Sequence, residues 1–257
     1  MGEKPKMPLD GEQLGRDWCD PGTLHRSRTC SPALTGSNSR SYSPLRSWKP
    51  IELDDCTITT PYIEPCSCAA PAIVLYGGID DCEGAWFLRP DPKHKPELRI
   101  PRSLLQRVYF ILPKHHRTPA TKKAKEQKGS ICGRCIAEFK GHPHVNPKSV
   151  TSYSLCGFSA GGYSVYSNLG TEDWKFIGLI DAVPPEDGNL SVLDTLGDCV
   201  RGVYNLVNWP GAEILTKFIP HLIVDLGVNM IEEGDVANNH LEMPYFFFTE
   251  YGCELAA

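Results

Sequence analysis

Gly157-Phe158-Ser159-Ala160-Gly161 sets one hydroxyl between two glycines, directly after the alternating apolar-rich run Thr151-Ser-Tyr-Ser-Leu-Cys156. This is the sequence form of a nucleophile elbow: a strand stops, the chain turns sharply, and a helix begins with the serine oxygen exposed at the apex. The glycines meet a steric demand, because beside a strained turn there is no room for a Cβ. A serine hydroxyl alone is a poor nucleophile. It needs a base to take its proton, an acid to orient that base, and N–H donors for the charge that develops on an attacked carbonyl oxygen.

The donors are expected from the backbone. One is the N–H of Ala160, directly after the nucleophile. The other is expected from the loop after an earlier strand, where Tyr76-Gly77-Gly78-Ile79 fits through the N–H groups of Gly78 and Ile79. A tight turn alone would also use Gly77-Gly78, and the two readings are compatible.

These groups need a rigid frame. Pro71-Ala-Ile-Val-Leu-Tyr76 is a continuous apolar run closed by two glycines, as expected of a buried parallel strand, and Arg107–Leu112 is a second. Residues 119–140 read mainly as a helix with Pro119 at its start. Thr151–Cys156 is the third strand, with a helix over about 161–169 behind the elbow. Lys175–Ile180 and Cys199–Val207 are the fourth and fifth strands. Strands alternating with helical segments imply βαβ units and a mainly parallel sheet. Residues 209–234 mix apolar and polar positions at roughly helical spacing, as a core-packing helix or a substrate-covering lid would.

Over about residues 70–245, and most specifically from Ser154 to Pro184, the chain resembles the α/β-hydrolase superfamily of serine lipases and esterases. The resemblance implies a mainly parallel central sheet flanked by helices, over residues 56–257, behind an irregular N-terminal arm, residues 1–55. It also implies the chain order nucleophile, acid, base. In that superfamily the acid usually follows the second strand after the elbow. Here that strand closes on Val207-Asn208-Trp209 and offers no carboxylate. A minority of members, lipases among them, place the acid one strand earlier, which here is Asp181 at the end of Ile177-Gly-Leu-Ile. In open α/β sheets that edge gathers ligands and catalytic groups. A turn cap beside Pro184 and Pro185 is the other reading of Asp181, and Asp198 and Asp225 are the reserves.

The base is expected last in the chain. His240, in Asn238-Asn239-His240-Leu241-Glu242, is expected on a polar loop before the apolar run Tyr245–Phe248. Its rival His221 sits in Ile219–Val224, which reads as a packed helix face holding a buried structural histidine. Ser159, Asp181 and His240 would then form a Ser-His-Asp triad that cleaves an ester or related acyl bond through an acyl-enzyme, with no cofactor. The alternative is a catalytically inactive relative that uses the same pocket for binding or assembly, with zinc as a candidate stabiliser.

Zinc enters through Cys132-Gly-Arg-Cys135, followed by His142 and His144. A structural zinc needs four such ligands converging tetrahedrally, and the six residues between the pairs are short for a finger. The simpler expectation is free thiols or a local disulfide, with Cys156 a small buried apolar residue.

Composition bounds the remaining classes. The hydrophobic share of 41% in 257 residues leaves part of the chain outside a core. Residues 1–50 carry eight Lys or Arg against five Asp or Glu and are rich in serine and proline, as an extended arm would be. Residues 171–257 carry three against fifteen. The basic stretch 113–128 has no interleaved aromatic residues, so no nucleic-acid partner is expected. Phe218–Met230 is too short and polar to span a membrane, and no secretory signal opens the chain. The expectation is a cytoplasmic protein acting on a small-molecule acyl substrate. Composition is silent on oligomeric state.

Overall fold

Strands that are apolar at nearly every position must be covered on both faces, and this sheet is. The computed structural model describes residues 50–61, 69–78, 84–88, 99–114, 130–185, 193, 197–206, 208–225 and 236–257. The arm up to residue 49 lies outside the described residues, as does most of the basic stretch. The strands are β1 (Ile51–Glu52), β2 (Cys56–Thr59), β3 (Ala70–Tyr76), β4 (Tyr109–Pro113), β5 (Val150–Phe158), β6 (Trp174–Ile180), β7 (Val200–Asn205) and β8 (His221–Asp225). They form one 8-stranded sheet in the order β1-β2-β4-β3-β5-β6-β7-β8. The β1–β2 and β2–β4 pairs are antiparallel, and every pair from β4 through β3 to β8 is parallel. The sheet begins at Ile51, inside the segment assigned to the arm from sequence.

Side chains alternate across the sheet with the strand period of two. Ala72, Val74 and Tyr76 of β3, Ile111 of β4 and Leu155 of β5 face one apolar layer. That layer is covered by α2 (Ile131–Gly141) and α3 (Gly161–Ser167), through residues such as Ile136, Phe139 and Val165. Ile73, Leu75, Phe110, Cys156, Phe158 and Ile180 face the other layer. There α1 (Arg102–Leu105) and α4 (Val236–Leu255) cover them. On α4, Met243, Phe247, Tyr251 and Leu255 recur every four residues and form the helix stripe that meets the sheet. Of the run Tyr245–Phe248, only Phe247 and Phe248 are buried, while Tyr245 and Phe246 are exposed.

Two local expectations are corrected. Residues 219–224 are not a helix face: His221–Asp225 is strand β8, parallel to β7, and His221 is exposed rather than buried. A five-residue apolar run carries too little periodicity to separate strand from helix. The long helix expected over 119–140 is helical in its described part only from Ile131, where the Ser130 hydroxyl accepts the Gly133 N–H at 3.0 Å as an N-cap. Within 209–234 the chain forms a short 3-10 helix, Ala212–Lys217, and then β8, while 226–235 lie outside the described residues.

Candidate active site

A sharp strand-to-helix turn carries Ser159 between β5 and α3. Ser159 has φ 53, in the left-handed region that costs a non-glycine residue on the order of 1–3 kcal/mol. Its flanks are closed to side chains. A Cβ on Gly157 would lie 2.6 Å from the Gly161 carbonyl oxygen, and one on Gly161 would lie 2.8 Å from the carbonyl oxygens of Tyr76 and Gly77. The turn is bolted to the end of β6 by two backbone hydrogen bonds. The Ser159 N–H donates to Ile180 O at 3.1 Å, and Ser159 O accepts from the Val183 N–H at 2.8 Å. The architecture is α/β-hydrolase-like.

Asp181 directly follows β6 and is fully buried, with φ 41. Aspartate tolerates this conformation better than most residues. The strand edge surrounds its carboxylate with donors. The Asn205 N–H donates to Oδ1 at 2.8 Å and the Asn208 side-chain amide to Oδ2 at 2.6 Å. The Trp209 indole N–H donates to the Asp181 main-chain oxygen at 2.9 Å. Nδ1 of His240 lies 2.5 Å from Oδ2. A carboxylate only accepts, so in this contact Nδ1 is the donor, which leaves Nε2 as the ring nitrogen that faces away from Asp181.

His240 stands in the second turn of α4, not on a loop as its polar neighbours suggested. The paired asparagines before it read as loop, but the helix continues through them because its C-terminal half docks on the sheet. Pro244 lies inside the same helix, four residues later, where it cannot return the usual N–H bond to the His240 carbonyl. The imidazole face rests on Phe158, with ring centroids 4.6 Å apart and planes 30° from parallel. The structure thus brings His240 to Asp181 and to the residue before the serine. No hydrogen bond joins Ser159 to His240 among the described residues. Catalytic hydrogen bonds are often long before substrate arrives.

Of the expected oxyanion donors, Ala160 is fully buried at the start of α3. Gly78 passes close to Ser159: a Cβ placed on it would lie 3.2 Å from Ser159 Cβ and 3.5 Å from Oγ. Ile79 lies outside the described residues. Of the reserve acids, Asp198 is exposed in a 3-10 turn and Asp225 ends β8 on the far edge of the sheet. Asn205, Asn208, Trp209 and Trp86 are missed by sequence reading. For Asn208 and Trp209 the signal lay in their position after β7, where the resemblance places an acid.

The residues considered for zinc do not converge. Cys132 and Cys135 are buried in the core, whereas just past the end of α2 His142 is half-buried and His144 is exposed. Among the described residues no group of three His, Cys, Asp or Glu side chains could hold a metal ion. Cys56, Cys132, Cys135 and Cys156 form no disulfide among the described residues. Burial pushes the Cys132 thiol up to about 11. The Cys135 thiol is raised by its hydrogen bond to Cys56 and then by burial, and that of Cys156 by burial. Neutral thiols are what an apolar interior favours. No helix among the described residues is long and apolar enough to cross a membrane.

No protein-family model matches the chain, and no curated protein does. Among solved structures the chain is similar to an acylaminoacyl peptidase from Pyrococcus horikoshii, at 14% identity and TM-score 0.47 over 79% of this chain. It spans 40% of that protein's length. It is also similar to a dienelactone hydrolase from Anabaena variabilis, at 11% identity and TM-score 0.45, over 79% of this chain and 96% of that one. A third is Est1E from Butyrivibrio proteoclasticus with ferulic acid bound, at 13% identity and TM-score 0.43, over 80% and 98%. The functional reading rests on the site's own geometry and not on these likenesses.

Proposed function

We propose that this chain is a serine hydrolase that cleaves an ester or related acyl bond of a small molecule. The observation that carries the reading is the 2.5 Å contact between His240 Nδ1 and the buried Asp181 carboxylate, built on the strand end to which the Ser159 elbow is bolted. In the proposed reaction, Nε2 of His240 takes the Ser159 proton as Oγ attacks the acyl carbonyl. Asp181 holds the ring in the tautomer that leaves Nε2 free and stabilises the imidazolium that forms. The N–H groups of Ala160 and of the Gly78–Ile79 loop take the oxyanion charge, each worth about 3 kcal/mol of barrier. His240 returns its proton to the leaving group, and a water activated by the same imidazole clears the acyl-enzyme.

A fluorophosphonate probe tests this directly. The wild type is expected to label at Ser159 and to hydrolyse a p-nitrophenyl ester. Ser159→Ala and His240→Ala are expected to lose both activities while keeping the wild-type far-UV circular dichroism. The second reading, a binding protein on the same scaffold, draws on the missing Ser159–His240 hydrogen bond. Folded wild type that neither labels nor turns over esters would favour it.

A further inference from the structure

The Asp181 contact fixes only one atom of the His240 ring. A single hydrogen bond at Nδ1 leaves the tilt of the ring about its side-chain bonds unset, and that tilt swings Nε2 towards or away from Ser159. A second constraint must act on the face of the ring, and Phe158 supplies it at 4.6 Å. Phe158 is 3% exposed and is itself clamped. Trp86 stacks on it at 5.4 Å with planes 9° apart, Phe87 meets it edge-on at 6.1 Å, and the Arg99 guanidinium lies 3.8 Å from the Trp86 ring centroid. The result is a stack of guanidinium, indole, phenyl and imidazole, in which each layer has a face partner.

Phe158 is also bonded to Ser159. The platform under the base and the nucleophile therefore belong to one rigid turn, and moving one moves the other. We infer that Phe158 is a positioning residue, whose ring indexes the imidazole plane of His240 to the Ser159 hydroxyl. The inference rests on the hydrolase reading above. It assigns a task to the elbow position that the Gly-x-Ser-x-Gly pattern leaves unspecified. A residue that merely filled the core would affect stability alone. A positioning residue sets the orientation of the imidazole, and with it the approach of Nε2 to the Ser159 hydroxyl.

The test uses the full chain and the variants Phe158→Leu, Phe158→Tyr and Trp86→Leu. Side-chain NMR of His240, assigned by its loss in His240→Gln, is followed beside p-nitrophenyl ester kinetics and urea midpoints. Phe158→Leu is expected to remove the upfield ring-current shift that the stacked ring imposes on His240. It should also reduce kcat more than tenfold with KM within twofold. Phe158→Tyr, which keeps the ring, should restore kcat to within about threefold. Trp86→Leu, which leaves the imidazole untouched, should move the same readouts less. An unchanged ring-current shift and kcat in folded Phe158→Leu would overturn the inference, as would a Tyr variant no better than Leu. If Phe158→Leu does not fold, Trp86→Leu decides: a smaller change in the ring-current shift and in kcat supports the inference, and no change in either overturns it. Wild type without labelling or turnover instead counts against the hydrolase reading, and is seen before any variant is made.

Discussion

Asn208 donates its side-chain amide to Oδ2 of Asp181 at 2.6 Å, the same oxygen that His240 meets. Asp181 is fully buried, so its carboxylate depends on such donors in place of water. A hydrogen bond to a charged group contributes about 1.5–3 kcal/mol. Asn208→Ala is therefore expected to lower kcat about tenfold and to lower the melting temperature. Ester kinetics beside a thermal scan check both. A rate equal to wild type would show that the Asn205 N–H alone holds the carboxylate.

Asp181→Asn tests the tautomer. An amide in place of the carboxylate can present a donor to Nδ1 and shift the ring proton to Nε2, where it blocks proton transfer from Ser159. Losses on the order of 10³–10⁴ in kcat are expected, as in serine proteases whose acid is amidated. The variant should still fold, because Asn keeps the volume and an acceptor for the Asn205 N–H. Full activity in this variant would reassign the acid.

Gly157→Ala isolates the elbow's steric demand. The added Cβ would meet the Gly161 carbonyl at 2.6 Å, and backbone cannot move aside as a side-chain tip can. A loss of about 3 kcal/mol is expected, at the upper end for overpacking, read as a fall in the urea midpoint. Ester turnover should fall with it, because the same turn holds Ser159.

The thiols give a prediction independent of catalysis. Cys56, Cys132, Cys135 and Cys156 are fully buried, and the Cys132 thiol is held up to about 11 by burial. The reactive form is the thiolate, and a raised pKa keeps Cys132 protonated until the pH approaches that value. Iodoacetamide at pH 8 should therefore spare these four in the native protein and modify the exposed Cys253. Peptide mapping before and after urea unfolding checks the pattern. Native labelling at Cys132 would contradict the packing of α2.

Much of the candidate site was legible in the sequence, because its demands are local. Glycines at 157 and 161 fit a turn with no room for side chains, and the apolar run Pro71–Tyr76, closed by two glycines, fits a strand covered on both faces. The end of β6 marked Asp181 because ends of parallel strands share one edge. His240 was found by its place in the chain, but its helix was not. The docking of Met243, Phe247 and Tyr251 outweighs the loop preference of Asn238 and Asn239, and docking is a property of the sheet they meet. His221 failed for a related reason: five residues do not reveal a period, and only the pairing of β8 with β7 makes them a strand.

The sequence by itself determined the elbow, the strand runs and the residue types able to move a proton, because each follows from sterics or periodicity within a few positions. The tertiary structure decided which of those residues meet. Asn208 reaches Asp181, and Phe158 reaches both Trp86 and His240, across separations that no local rule spans. Contacts of that kind arise only when the sheet stacks its strand ends side by side and the last helix closes over them.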